Sequence, residues 1–129
     1  MILLFEDNRD LAYLMKRIIS SVLGRSCMVC SREVDAESEI LSGNVEMIVS
    51  DISIYGRSEG IDLIRRIRKI MPFTCPPIVV YTGVNPGSVD FSEAEKISDA
   101  VYEKGEISIM DLCARIRRIF MSGYSSHPS

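Results

Sequence analysis

The sequence predicts an α/β domain built on a parallel sheet with helices on both faces. Three observations predict it. Apolar runs of strand length alternate with segments whose apolar residues recur at helical spacing. The breaks between them are short, so consecutive strands are joined by helical crossovers of right-handed sense. A chain of 129 residues, 47% hydrophobic and 26% charged, suits one folded domain with one core.

The elements follow in order. Ile2–Phe5 is a compact apolar run, as expected of a strand covered on both faces. Leu11, Leu14, Met15, Ile18, Ile19 and Val22 then mark a helix, with Asn8 as its N-cap and Gly24 as its C-terminal stop. Residues 26–31 read as a second strand. Asp35 is expected to cap a short helix carrying Ala36, Ile40 and Leu41, with Gly43 after it. Met47–Val49 forms a third strand that runs out at Asp51. Ile61, Ile64, Ile67, Ile70 and Met71 mark a helix closed by Pro72. Pro76 and Pro77 lead into a fourth strand, Ile78–Tyr81. Residues 84–90 read as a loop, followed by a weak, polar helix over about 92–98. Val101 and Tyr102 lie in a short fifth strand. Ile109, Leu112, Ile116, Ile119 and Phe120 mark the last helix. The domain is expected to span residues 1–121, with residues 122–129 as a flexible tail that holds the one histidine, His127.

Composition limits the function. A formal net charge of -3 gives no general drive toward nucleic acid or anionic membrane, and no apolar run approaches the length of a membrane span. The start of the chain reads as a strand and not as a signal peptide. Cys27 and Cys30 form a C-x-x-C, but on a strand residues three apart face opposite ways, and no second pair completes a zinc site. Buried thiols are expected for these two, for Cys75 and for Cys113. Nothing calls for an oxidising compartment, which makes the cytoplasm the expected location.

Open parallel sheets place their sites beyond the C-terminal ends of the strands. There the first strand delivers Glu6 and Asp7, the third Asp51, the fourth Thr82 and the fifth Lys104. Singly, each has an ordinary explanation: an Asp or Thr-Gly after a strand is usually a turn, and a Lys before Gly a solvated charge. Together they bring three carboxylates, a hydroxyl and an ammonium to one edge. Clustered carboxylates need a cation, and their oxygen chemistry suits magnesium or manganese. In such a site Asp51 can act as a nucleophile toward phosphorus, while Lys104 neutralises charge and Thr82 donates a hydrogen bond.

With these residues placed, the sequence resembles the receiver domains of bacterial response regulators over about residues 2–121. The resemblance rests on the acids in LLFEDN, the Asp in IVSDISI, the Thr in VVYTG and the Lys in VYEKG, in that order. It implies a flavodoxin-like, doubly wound five-stranded sheet with strand order 2-1-3-4-5 and five helices. Asp51 would be the phosphoacceptor. Glu6, Asp7, Asp51 and the backbone carbonyl of Ser53 would be the metal ligands, and Thr82 and Lys104 the phosphoryl-binding and switch residues. A histidine kinase or histidine phosphotransfer protein would be the donor. The receiver would assist its own phosphorylation and dephosphorylation without being an enzyme in the ordinary sense. The face of the fourth helix, fifth strand and last helix would contact a second copy or an output protein.

Three positions depart from the family pattern. Tyr55 stands where a Pro is usual, in a longer segment ISIYGRSEG, with Gly60 expected to supply backbone freedom. Gly105 follows Lys104 where Pro is usual; a cis bond at this place would be costly, so a trans or strained bond is expected. Val101 occupies the switch position usually held by an aromatic, and Tyr102 should face the other way. The basic residues Arg65, Arg66, Arg68 and Lys69, and Arg115, Arg117 and Arg118, are read as solvated helix faces and not as a nucleic-acid surface. Two other functions compete with a phosphorylated receiver: a pseudo-receiver that binds partners without phosphorylation, and a flavodoxin-like small-molecule binder. The latter lacks a Gly-rich phosphate loop after the first strand.

Overall fold

The computed structural model describes residues 1–122, so most of the expected tail, including His127, lies outside the described residues. Five strands alternate with five helices: β1 (Ile2–Phe5), α1 (Arg9–Leu23), β2 (Cys27–Cys30), α2 (Glu33–Leu41), β3 (Met47–Ser50), α3 (Glu59–Ile70), β4 (Ile78–Thr82), α4 (Val89–Ile97), β5 (Ala100–Glu103) and α5 (Ile109–Met121). The strands form one parallel sheet in the order β2-β1-β3-β4-β5. β1, β3 and β4 are buried along their whole length, which is why they read as continuous apolar runs.

Side chains alternate between two core layers. Leu3, Phe5, Ile48 and Val80 pack with residues of α2, α3 and α4. Ile2, Leu4, Val49 and Tyr81 pack with residues of α1 and α5. Each fully buried Leu or Ile contributes about 2 kcal/mol relative to exposure, so both faces resist a slip in register. The same alternation sends Cys30 to the first layer and Cys27 to the second, as free buried thiols. It also sends Val101 and Tyr102 to opposite sides.

Helix ends follow local chemistry. Asn8 caps α1 by accepting the Leu11 N–H, and Gly24 ends it at φ 64°. Ser108 and Asp111 form a reciprocal capping box on α5. Two expectations need correction. Arg32, not Asp35, is the N-cap of α2, and Asp35 lies in the first turn, where the helix dipole favours a carboxylate. α4 begins at Val89, not near residue 92, because Ser88 accepts the Phe91 N–H and starts the helix inside the expected loop. With only Phe91 and Ala94 buried, the helix carries too weak an apolar stripe to show its start in the sequence.

Most of the basic residues have local partners. Arg65 pairs with Glu93 and Arg66 with Glu37, Arg115 lies over the Tyr102 ring, and Arg117 donates to the Val22 carbonyl. Arg68 is not on a solvated face: it is buried and paired with Asp99. Among the described residues no helix is long and apolar enough to cross a membrane.

Candidate functional site

The sheet brings the expected residues together beyond its C-terminal edge. β1 and β3 run side by side, with Phe5 opposite Ser50, so Glu6 and Asp51 emerge as neighbours. The Asp51 N–H donates to the Phe5 carbonyl at 3.0 Å and extends the ladder to the site itself. β4 delivers Thr82 beside β3, and the Lys104 N–H donates to the Thr82 carbonyl at 2.9 Å. Site geometry is therefore set by strand pairing.

Asp51 is the centre. Its Oδ1 accepts hydrogen bonds from the Thr82 hydroxyl at 2.6 Å and from the Ile52 N–H at 2.7 Å. Its Oδ2 faces the Lys104 ammonium at 2.7 Å. The same ammonium reaches Glu6 Oε1 at 2.6 Å, and Glu6 Oε2 accepts the Asn8 N–H at 3.1 Å. Asp7 stands apart and accepts the Tyr55 N–H at 2.8 Å. Ser53, in the same loop, is half-buried between buried Ile52 and Ile54.

Burial and charge pull in opposite directions here. Burial pushes the Glu6 carboxyl above its ordinary pKa; hydrogen bonds from Lys104 and Asn8 only partly offset this, and the Asp51 charge adds to it. For Lys104, burial opposes the charge, but hydrogen bonds first to Asp51 and then to Glu6 outweigh it, so its pKa is raised. One ammonium thus serves two carboxylates, and its side chain remains 23% exposed.

The donor set has the oxygen chemistry of a hard cation, and its oxygens are engaged by groups of the protein itself. Among the described residues no group of three or more His, Cys, Asp or Glu is positioned to hold a metal ion. Lys104 stands between Glu6 and Asp51, and the Tyr55 N–H engages Asp7. As arranged, the acids are engaged by an ammonium and by backbone N–H groups, contacts that a divalent ion at these oxygens would displace.

The loop from Asp51 to α3 has a shape the sequence did not disclose. Ile54 and Arg57 exchange both backbone hydrogen bonds around Tyr55 and Gly56, at φ 53° and 71°. This is the geometry of a two-residue hairpin turn with left-handed central residues. For Tyr55 that conformation costs on the order of 1–3 kcal/mol. Gly60 has a different role from the one expected. Its φ is not in the left-handed region; instead a Cβ there would lie 1.8 Å from the Asp51 carbonyl oxygen. Gly60 provides room, letting α3 begin directly against the backbone of Asp51. The Gly60 N–H donates to the Ile52 carbonyl, and the Ser50 hydroxyl holds the Asp51 carbonyl at 2.7 Å. The Lys104–Gly105 bond is trans, as are all peptide bonds among the described residues.

On the α1 side a cavity of about 650 Å³ opens beside Glu6 and Asp7 and is lined also by Arg9, Lys16, Arg32 and Tyr55. Cations thus border the acidic edge on the side open to solvent.

No protein-family model and no curated protein matches the sequence. Solved structures match the fold. A streptococcal redox sensor, from a family evolved from two-component response regulators, superposes with a TM-score of 0.80 at 18% identity, covering 94% of this chain and 51% of its own. This chain therefore spans about half of that protein. The receiver domain of the Francisella response regulator 1452 matches with a TM-score of 0.77 at 22% identity, covering 95% and 97% of the two chains. The receiver domain of NtrX from Brucella abortus matches with a TM-score of 0.78 at 22% identity, covering 95% and 99%. The sheet order β2-β1-β3-β4-β5 with five intervening helices is the flavodoxin-like arrangement of these domains, and the chain has the fold of response regulator receiver domains.

Proposed function

We infer that this chain is a receiver of two-component signalling and that Asp51 accepts a phosphoryl group from a histidine kinase or a histidine phosphotransfer protein. One observation carries the reading: the Asp51 carboxylate is gripped by the Thr82 hydroxyl, the Lys104 ammonium and the Ile52 N–H, groups delivered by three different strand ends. A carboxylate kept only for stability needs no such convergence at the functional edge of a parallel sheet. In the proposed transfer an Asp51 oxygen bonds to phosphorus as the bond from phosphorus to the donor's imidazole nitrogen breaks. The nitrogen keeps that electron pair. Lys104 offsets negative charge on the transferring group, and Thr82 turns its hydroxyl toward a phosphoryl oxygen. These groups position and neutralise, and none must act as an acid or base. Magnesium or manganese dependence, with Glu6, Asp7, Asp51 and the Ser53 carbonyl as ligands, belongs to the proposal as an expectation from the resemblance. No step is assigned to the ion.

The pseudo-receiver reading has an observation of its own: Val101 leaves the switch position without an aromatic side chain. Incubation with acetyl phosphate, with and without magnesium, followed by intact mass and peptide mapping, separates the two. The expected result is one added phosphoryl group, on Asp51, only with the ion present, and lost in Asp51→Asn. A gain that survives Asp51→Asn sinks the assignment, and no gain at saturating donor favours the pseudo-receiver.

A further inference from the structure

The segment between the acceptor and α3 is fastened at two distant points. At its middle, the Tyr55 N–H holds Asp7 Oδ2 at 2.8 Å, with Tyr55 itself in a left-handed conformation that bulky residues rarely adopt. At its end, Ser58 occupies the N-cap position of α3 but does not cap that helix. Its hydroxyl donates instead to Asp90 Oδ2, in the first turn of α4, at 2.5 Å. The N-cap serine of α3 thus leaves its own helix end uncapped and ties it to the first turn of α4.

The connection continues down the two helices. Arg65 pairs with Glu93 at 3.0 Å, and Arg68 donates to the Ile97 carbonyl at 3.0 Å. α3 and α4 are thus joined by polar links at the top, middle and bottom of their contact. At the top, α3 abuts the acceptor, since Gly60 leaves no room even for a methyl group against the Asp51 carbonyl. Meanwhile the route through β5 is poorly equipped: Val101 is aliphatic, and Tyr102 packs in the opposite layer beneath Arg115.

We propose that residues 52–58 form a strap that carries the state of the Asp51 site to α4 through Ser58 and Asp90. The strap rests on the reading of Asp51 as phosphoacceptor. A group added to Asp51 must compete for the space now taken by the Ile52 N–H, the Thr82 hydroxyl and the Lys104 ammonium, and the strap begins at Ile52 and is buried only there and at Ile54. Its movement reaches α4 at Asp90, with no aromatic residue changing sides.

Hydrogen exchange of the α4 amides before and after phosphorylation by acetyl phosphate tests this. In the wild-type chain, exchange in the first turn of α4 should change several-fold on phosphorylation. Ser58→Ala and Asp90→Ala should gain phosphate as the wild type does while losing that change, and Ser58→Thr, which keeps the hydroxyl, should retain it. Melting temperatures of the Ser58→Ala and Asp90→Ala variants close to that of the wild type guard against a folding artefact. A wild type that gains phosphate without any change in α4, or an α4 response that persists in either Ser58→Ala or Asp90→Ala, overturns the strap alone. Absence of any phosphate gain overturns the acceptor reading and the strap together.

Discussion

Two clusters of charge sit at opposite edges of the same sheet, and they are built differently. At the N-terminal edge Arg68 and Asp99 form a sealed pair, with side chains 6% and 1% exposed. Arg68 donates to Asp99 Oδ2 and to the Ile97 carbonyl, and Asp99 Oδ2 also accepts the Ile78 N–H at 2.7 Å. Cation and anion meet directly, and backbone groups are among the further partners of each. At the C-terminal edge one ammonium faces Glu6 and Asp51, with Asp7 beyond them, and the cation is partly open to solvent. The first cluster is balanced and closed, as a structural pair must be to survive desolvation. The second carries surplus negative charge beside an opening, an arrangement that costs stability and that suits a site more than a structural pair.

The largest predicted effect separates the two clusters directly. Asp99→Ala leaves Arg68 buried without its counter-charge and should cost about 3–5 kcal/mol in urea unfolding. Glu6→Gln removes a carboxylate that burial already disfavours and should stay within about 1 kcal/mol of wild type, because Lys104 keeps Asp51. Equal costs would erase the distinction between them.

Next in size is Gly60→Ala. The open cluster is packed tightly against the backbone at this point, and an added methyl can be relieved only by moving α3 or Asp51. A loss of about 3 kcal/mol or more is expected, with weakened phosphorylation of whatever remains folded. A variant of wild-type stability would mean that α3 is not seated where it is described.

The smallest effect is read by alkaline titration. Cys75 lies near Arg68 and Asp99, and burial raises its pKa from 9.0 to about 11, with Arg68 partly offsetting. The folded state thus favours the thiol. Its contribution, on the order of 2 kcal/mol, is complete below pH 9.0 and lost as pH rises through about 11. Lys104, also raised, contributes stability present below its ordinary 10.5 and lost as pH passes its folded value. Cys75→Ala should therefore make the fall in stability from pH 9 toward 11 shallower, while leaving the loss that Lys104 contributes above its ordinary 10.5. If the curve is unchanged by Cys75→Ala, burial at the sealed edge does not act on the thiol as described.

The sequence by itself determined the alternation of elements, because strand and helix periods are local. It also determined which residues reach the functional edge, because each of Glu6, Asp51, Thr82 and Lys104 follows its own apolar run. Only the tertiary structure decided how those residues share their bonds. That one ammonium spans Glu6 and Asp51, while Asp7 turns to Tyr55, depends on groups 98, 53 and 48 positions apart. Gly60 could be read as a flexible residue but not as a gap in front of the Asp51 carbonyl, since close approach leaves no mark on one-dimensional pattern. Arg68 looked like one more basic residue on a solvated helix, and only packing against Asp99 revealed it as buried. The start of α4 was hidden for the same reason: Ser88 and Asp90 are ordinary loop residues until a helix and the Ser58 hydroxyl come to meet them.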